Sequence, residues 1–236
     1  MTLILYGAPL SPFVRKAEVV LREKGVPFES ESVNILPMPD WFKEISPARR
    51  IPVLRDTSVG EEGRAGTLPD SSAICAFVER AHPTPSLYPS DPFDHGRAIW
   101  LEEWADSELA GAIGLGIFRP IMFARFQGKP PDLETAKASW NDKLPRLFDY
   151  LESELEVAGA AKPEDTRHLL GGTLSIADIA VAVQLAQLEM VAGLPDVRRW
   201  PRAVTFAERM IARPSFAPNL AICRKIIKDR VNLSES

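Results

Sequence analysis

Cysteine and histidine, the residues that most often build disulfide frameworks and metal sites, are scarce in this sequence. Its 236 residues include two cysteines and three histidines. Cys75 and Cys223 lie far apart and form no CxxC pair, so the sequence predicts neither a disulfide framework nor a zinc site. His82, His95 and His168 have neither HExxH nor another paired-ligand spacing. We therefore expect no metal and interpret the histidines as surface or capping residues.

Several other signatures are missing as well. The chain has no GxSxG nucleophile elbow and no GxxxxGK[ST] phosphate loop, which argues against the enzyme classes that depend on them. The net charge of −4 comes from interspersed acids and bases without a basic stripe, so we expect no nucleic-acid partner. No apolar run approaches the roughly 18 residues of a membrane helix, and no basic leader precedes the first apolar run. The sequence therefore predicts a cytoplasmic protein that does not contact a membrane.

An apolar strand followed by a capped helix opens the chain. Residues 3–6 form an apolar run typical of a buried central strand, and residues 14–24 carry apolar positions at helical spacing with charged residues on the other face. Ser11 before Pro12 is typical of an N-cap and a first helical residue, and Gly25 is typical of the residue after a helix. Ser11 therefore has two interpretations. It caps the helix, or it also uses the helix N-terminus, which favours anions, to hold a ligand.

The segments up to residue 81 predict the rest of a small mixed sheet. In chain order they are a strand over 27–33, a short helix over 37–45, short strands over 51–54 and 67–68, and a helix over 73–81. The first helix would join the first two strands in parallel, through a right-handed crossover. Asp40 is a candidate cap of the short helix, and the polar start of the last helix, at Asp70, favours anions.

Beyond this sheet the sequence predicts helices only. The stretch 82–92 is rich in proline and shows no periodic pattern, so we place a domain boundary there. Long helical patterns follow from residue 100 and over 133–157, with a kink expected at Pro120 and a bend at Pro145.

Two further motifs stand out in the helical half. Gly111, Gly114 and Gly116 each weaken a helix by about a kcal/mol relative to alanine, so we interpret them as points of close helix packing, with the floor of a ligand groove as the alternative. Ser175 and Asp178 form a capping box before an almost wholly apolar helix. We therefore interpret Asp178 as structural.

In this order of elements the chain resembles the cytosolic glutathione transferase family, over residues 3–216, and is similar to its serine-type bacterial members. The motifs that carry the resemblance are YGAPLSPFVRK (6–16), SPARRIPVL (46–54), DSSAI (70–74) and SIADI (175–179). The resemblance implies a thioredoxin-like α/β domain over residues 1–82, a linker over 83–92 and an all-α domain over 93–236. It also implies a homodimer.

The resemblance assigns roles to individual residues. Ser11 matches the catalytic serine, whereas Tyr6 sits too early in the strand for that role. Pro52 matches a cis-proline, and the backbone of Ile51 would pair with the cysteinyl part of glutathione. Asp70 and Ser71 match the acidic-serine pair that holds the γ-glutamyl ammonium and carboxylate.

Arg50 and Lys43 are the nearest cations for the glycyl carboxylate, although either can equally be a solvated surface residue. Arg49 stands where many members of the family have glycine, and the loop over 56–66 is longer than usual for the family.

The function that the resemblance implies is conjugation of glutathione, as substrate, to a small hydrophobic electrophile bound in a pocket of the helical domain, typical of detoxification. A hydrogen bond from Ser11 and the helix dipole would lower the thiol pKa, ordinarily near 8.5, by about two units. The alternatives are a glutathione-binding or scaffold protein without catalysis, and a glutathione-dependent isomerase or peroxidase that uses the same site.

Overall fold

The computed structural model of the chain describes residues 2–161 and 168–233. The chain folds into two compact units. Unit 1 comprises Met1–Leu87 and Pro214–Cys223, and unit 2 comprises Tyr88–Arg213 and Arg224–Ser236. This division differs from the sequence-based boundaries, which place every residue after 92 in the helical domain, because Pro214–Cys223 belongs to unit 1.

Unit 1 contains a four-stranded sheet. Its strands are β1 (Leu3–Gly7), β2 (Glu29–Ser32), β3 (Val53–Asp56) and β4 (Thr67–Leu68), in the order β2-β1-β3-β4. The first strand is central, as its apolar sequence predicts, and pairs in parallel with β2 and antiparallel with β3. Strand β4 is the predicted antiparallel edge strand. The other edge, β2, is fully exposed, which explains its polar sequence ESES.

Helices cover this sheet and complete unit 1. They are α1 (Pro12–Glu23), α2 (Asp40–Ile45), α3 (Ser71–Ala81) and the part of α10 (Ala217–Ile226) that ends at Cys223. The prediction that Asp40 caps α2 is wrong, since Pro39 occupies the N-cap position and no side chain caps this helix. The Asp40 carboxylate instead accepts a hydrogen bond from Lys43 Nζ at 2.7 Å.

Helix α1 is more deeply buried than its pattern predicts. The sequence places Arg15, Lys16, Glu18 and Lys24 on a solvated face, and this is wrong: Arg15 and Lys16 are fully buried, and Glu18 and Lys24 nearly so. Buried charges are tolerated where polar groups of the protein replace water as hydrogen-bond partners. For α1 these partners belong to elements distant in sequence, which is why the helical pattern wrongly predicts a solvated face.

Two of these buried charges contact other helices of unit 1. Arg15 Nε donates to Asn219 Oδ1 on α10 at 2.7 Å, and Lys16 Nζ donates to Ser72 Oγ on α3 at 3.1 Å. A periodic pattern within α1 cannot indicate such partners, because both lie far along the chain.

Glu18 gives the stability of the protein a pH dependence. Burial raises the pKa of its carboxyl above the usual 4.5, although Asn219, Arg22 and Arg15 favour the charged form. The folded state therefore binds this proton more tightly than the unfolded state. The resulting stabilisation is complete below pH 4.5 and is lost as the pH rises through the raised value.

Glu18→Gln should consequently raise the Tm at neutral pH and leave it unchanged below pH 4.5, where the wild-type carboxyl also carries its proton. Thermal unfolding followed by circular dichroism over this pH range measures the effect. A variant whose Tm follows the wild-type pH profile would contradict it.

The guanidinium of Arg55 connects several turns of the long loop after β3. Arg55 is buried, and its guanidinium donates to the carbonyl oxygens of Gly60, Gly63 and Ala65 at 2.8–3.0 Å. Gly66 has a φ of +69° and lies so close to Asp56 that an added Cβ would be 2.5 Å from the Asp56 carbonyl oxygen. The loop is therefore an ordered structure built around a central cation.

Unit 2 is helical. Its elements are α4 (Pro92–Trp104), a π-helical segment (Ala105–Phe118), α5 (Arg119–Phe126), α6 (Leu133–Ala138), a second π-helical segment (Ser139–Lys143), α7 (Leu144–Ala161), α8 (Ile176–Ala192) and α9 (Pro201–Ile211). The 35 residues of Pro92–Phe126 form a helix that is long and apolar enough to cross a membrane, contrary to the expectation from sequence. Its residues Leu101, Leu109, Ile113 and Ile117 are fully buried, which is typical of a core helix.

The two π-helical segments contact each other at a glycine. A Cβ added to Gly116 would lie 2.2 Å from Ser139 Oγ and 2.6 Å from Ser139 Cβ, and Ser139 Oγ donates to the Ala112 carbonyl oxygen at 2.8 Å. At Gly111 and Gly114 an added Cβ would meet no described atom within 4 Å beyond the local helix. Close packing is therefore confirmed at Gly116 and wrong at the other two.

Helix α8 lies in the core of unit 2, as its apolar sequence predicts. Ser175 and Asp178 form the capping box at its N-terminus. Asp178 Oδ2 accepts from the N–H and the hydroxyl of Ser175, and Oδ1 accepts from the Leu169 N–H, all at 2.8 Å. Asp178 is fully buried, so it ties the preceding segment to the helix where water cannot replace it.

Candidate functional site

Three segments that the sequence singles out leave the sheet at the same end. Strand β3 pairs antiparallel with β1 on one side and with β4 on the other. The end of β1, the start of β3 and the end of β4 therefore lie side by side. Ser11 follows the first of these, Ile51 and Pro52 precede the second, and Asp70 and Ser71 follow the third.

Ser11 is the N-cap of α1, and Pro12 is the first helical residue, as predicted. Its Oγ accepts from the Val14 N–H at 3.4 Å, which is long for a hydrogen bond, and its own N–H donates to the Ala8 carbonyl oxygen at 3.0 Å. Because the hydroxyl acts as an acceptor in the cap, its proton can be donated elsewhere. An anion at this helix N-terminus would accept a hydrogen bond from the Ser11 hydroxyl and would be stabilised by the helix dipole.

The Ile51–Pro52 peptide is cis, as the resemblance implies. Pro52 is buried, and the partly buried Ile51 packs against a core cluster that includes Tyr6 and Phe42. Strand β3 begins only at Val53, so Ile51 lies outside the strand ladder. Tyr6, whose ring packs edge-on against Phe42 with centroids 6.4 Å apart, is a core residue.

A residue that sequence reasoning missed fixes the approach to this proline. Ser46 is fully buried, and its Oγ accepts from the Arg50 N–H at 3.0 Å and donates to the Arg50 carbonyl oxygen at 2.7 Å. Arg49 between them has a φ of +54°, in the left-handed region that favours glycine. This closed loop orients the peptide that leads into Ile51. A serine one residue before Pro47 is a turn signal that could have indicated it.

The N-terminus of α3 offers groups of both polarities. Asp70 Oδ1 caps the helix by accepting from the N–H groups of Ser72 and Ala73 at 2.8 and 3.1 Å. Neither Asp70 Oδ2 nor the N–H of the buried Ser71 takes part in this cap. The pair can therefore contact a ligand that carries an ammonium beside a carboxylate.

Lys16, also missed by sequence reasoning, places a buried positive charge beside this helix N-terminus. Its Nζ donates to Ser72 Oγ at 3.1 Å. The ammonium and the helix dipole both favour a carboxylate at this position. Lys16 lies four residues before the buried Val20, and this helical spacing is the signal that could have found it.

The described contacts of Lys43 and Arg50, the two cations predicted for the glycyl carboxylate, are with Asp40 and Ser46. Lys43 Nζ pairs with Asp40, and its hydrogen bond holds the pKa of that carboxyl below its usual range. Arg50 is exposed, and its described hydrogen bonds are those of its backbone with Ser46. In the part of the chain that the structure describes, no group of three or more His, Cys, Asp or Glu could hold a metal ion.

Comparison with known protein families gives two matches. The family model of the glutathione S-transferase N-terminal domain matches residues 5–86, and that of the glutathione S-transferase C-terminal domain matches residues 115–209. The chain is also similar to an uncharacterized GST-like protein, YibF, of Escherichia coli, with 31% identity over 219 residues that cover 90% of this chain and 96% of that protein.

A second similarity appears both in sequence and in structure. The chain is 27% identical to FtsZ-localized protein A of Caulobacter vibrioides over 92% of this chain and 90% of that protein. Among solved structures, FzlA from C. crescentus matches with a TM-score of 0.81 and 26% identity, over 94% of this chain and 92% of that chain.

Proposed function

Because the chain belongs to the glutathione S-transferase family, we propose that it binds glutathione at the end of the unit 1 sheet and ionises the glutathione thiol with Ser11. The observation that carries this proposal is the position of the Ser11 hydroxyl at the N-terminus of α1, at the same end of the sheet as the cis peptide and the polar start of α3.

Each part of glutathione has a counterpart at this sheet end. The backbone of Ile51 pairs with the cysteinyl residue as an added strand would. The N–H and hydroxyl of Ser71 hold the γ-glutamyl carboxylate, with the Lys16 ammonium adding positive charge, and Asp70 faces the γ-glutamyl ammonium. The glycyl carboxylate pairs with Arg50, or with Lys43 once the exposed ion pair between Lys43 and Asp40 has opened.

Ionisation of the thiol is the first chemical requirement. A free thiol has a pKa near 8.5, and its thiolate is the nucleophile. A lowering of the pKa by about two units, equivalent to about 2.7 kcal/mol, is within reach of a serine donor at a helix N-terminus. The thiol releases its proton to solvent, and the thiolate attacks an electrophilic carbon: a C–S bond forms, the bond between that carbon and the leaving group breaks, and the leaving group keeps the electron pair of the broken bond. Ser11 donates a hydrogen bond throughout and forms no covalent bond.

The remaining parts of the function follow the family. The electrophile is small and hydrophobic and binds to the helical domain over 93–236. The protein acts in the cytoplasm as a homodimer, in detoxification. A glutathione-dependent isomerase or peroxidase would use the same thiolate and differ only in the second substrate.

Calorimetric titration of the protein with glutathione tests binding, and the ultraviolet absorbance of the bound thiolate as a function of pH tests ionisation. We expect binding and a thiol pKa about two units below that of free glutathione. S-methylglutathione, which has no ionisable thiol, provides the absorbance blank. Binding with an unshifted thiol pKa would contradict the catalytic role of Ser11.

A second candidate function is favoured by the similarity to FtsZ-localized protein A. In this alternative the chain keeps the fold, with or without glutathione, and acts by binding another protein. Absence of glutathione binding in the same titration would favour it over catalysis.

Ser46→Ala should weaken glutathione binding by up to about thirtyfold without changing the pKa of the bound thiol. The substitution removes both hydrogen bonds that hold Arg50, and hydrogen bonds of this kind are worth about 1 kcal/mol each. Calorimetry gives the Kd, and Ser58→Ala, in the loop after β3, is the matched control. An unchanged Kd in the folded variant would show that Ser46 does not orient the Ile51 backbone.

A further inference from the structure

A buried polar cluster connects α10 to the turn that precedes Ser11. Pro9 and Asn219 lie 210 positions apart, yet Asn219 Nδ2 donates to the Pro9 carbonyl oxygen at 3.2 Å. Cys223, one helical turn further along α10, donates its S–H to the same oxygen at 3.2 Å. Both side chains are almost fully buried, so water does not compete for this carbonyl group.

Arg15 fixes the orientation of the Asn219 amide. Its Nε donates to Asn219 Oδ1 at 2.7 Å, and its Nη2 lies 3.5 Å from Cys223 Sγ. A guanidinium only donates hydrogen bonds and a carbonyl oxygen only accepts them. The amide oxygen must therefore face Arg15, and the amide nitrogen must face Pro9. The buried charge on α1 thus directs a donor on α10 toward the Pro9 carbonyl.

The Pro9 carbonyl oxygen sets the course of the chain into Ser11. Because a peptide unit is planar, holding this oxygen also fixes the orientation of the peptide plane that leads into Leu10. The backbone of Ser11 is held locally, since its N–H donates to the Ala8 carbonyl oxygen at 3.0 Å, but the hydroxyl is held only by the long cap bond from the Val14 N–H at 3.4 Å. The contacts from α10 to the Pro9 carbonyl oxygen add a constraint on the turn that comes from outside the local sequence.

We propose that Asn219 is a positioning residue for Ser11: by holding the Pro9 carbonyl group, it keeps the Ser11 hydroxyl where it can donate to the glutathione thiolate, with Cys223 as a weaker second donor. The effect of Asn219 on the glutathione thiolate rests on the proposed function. Its effect on the conformation of the turn does not depend on any ligand.

The decisive variant is Asn219→Asp, which retains an oxygen for Arg15 but replaces the amide donor with an acceptor. The new carboxyl would face the Arg15 guanidinium, which can pair with its charge, as well as the Pro9 carbonyl oxygen and Glu18. We expect a folded variant in which the pKa of bound glutathione rises by about one unit, so that the thiolate fraction falls about threefold at neutral pH and about tenfold at pH values well below the wild-type thiol pKa.

Two measurements separate positioning from general destabilisation. Raising the pH should restore the rate of the Asn219→Asp variant, because the thiolate fraction recovers, whereas loss of folded protein would not be reversed. Hydrogen exchange should become faster at the amides of Ser11 and Val14. Ile222→Ala, at a half-exposed position on the same helix, should leave both readouts at wild-type values.

The outcomes are distinguishable. A folded Asn219→Asp protein with the wild-type thiol pKa and wild-type exchange at Ser11 would overturn the positioning role. If this variant does not fold, Cys223→Ala decides by the same two readouts, with smaller shifts expected in the same directions. If wild-type protein does not ionise glutathione, the proposed function fails, and hydrogen exchange at Ser11 alone decides whether Asn219 fixes the turn.

Discussion

Replacing Ser11 with alanine should raise the pKa of bound glutathione by more than one unit and lower the conjugation rate at neutral pH more than about threefold. The reason is that the hydroxyl at the N-terminus of α1 is the donor that stabilises the thiolate. A rise of one unit from about 6.5 lowers the thiolate fraction at neutral pH from about three quarters to about one quarter, and the loss approaches tenfold only at lower pH. Titration of the thiolate absorbance gives the pKa, and the pH profile of the rate should shift by the same amount.

Ser11 is also a helix cap, so its two roles must be separated. Alanine removes the cap and costs about 1 kcal/mol, whereas glycine at an N-cap costs only a few tenths. Ser11→Gly therefore removes the hydroxyl with little loss of stability, and Ser11→Thr keeps both cap and hydroxyl. We expect the glycine variant to match alanine in thiol pKa and the threonine variant to approach wild type. Equal thiol pKa values in wild type and Ser11→Gly would leave Ser11 as a cap alone.

Asp178→Ala should destabilise unit 2 by about 3–5 kcal/mol. The substitution leaves the N–H and hydroxyl of Ser175 and the N–H of Leu169 without their acceptor in a fully buried position, and each such loss costs about 1–3 kcal/mol. Urea unfolding followed by far-ultraviolet circular dichroism gives the free energy of unfolding.

Asp178→Asn is the matched comparison, because it keeps the size and one acceptor oxygen, and we expect about half the loss of the alanine variant. Asp142→Ala removes an exposed carboxylate from the second π-helical segment and should change the free energy of unfolding by less than about 0.5 kcal/mol. A loss below about 1 kcal/mol for Asp178→Ala would show that the capping box is not needed for stability.

The sequence was sufficient for features that depend on neighbouring residues. The apolar run at Leu3, the cap at Ser11, the polar helix start at Asp70 and the capping box at Ser175 are all read from local spacing, and the structure contains each of them. The parallel pairing of β1 with β2 followed from the same elements because a parallel pair needs a crossover helix.

The sequence was not sufficient where distant segments meet. Arg15, Lys16 and Glu18 look solvated because a helical pattern counts charges as exposed, and only α3 and α10 reveal why they are buried. Asn219 has no local signal at all, since its partner Pro9 lies at the other end of the chain. The change from α to π hydrogen bonding at Ala105 likewise has no residue type in the sequence that marks it.

The membership of Pro214–Cys223 in unit 1 has a consequence for biosynthesis. A ribosome makes the sheet and α1 long before it reaches this segment, so the nascent unit 1 carries Arg15 without its partner on α10 and a Pro9 carbonyl group that only water can bond. Domains made early are often complete before the rest of the chain emerges. Here unit 1 starts first but is complete only once Pro214–Cys223 has followed most of unit 2, and the Ser11 turn takes its final form only then.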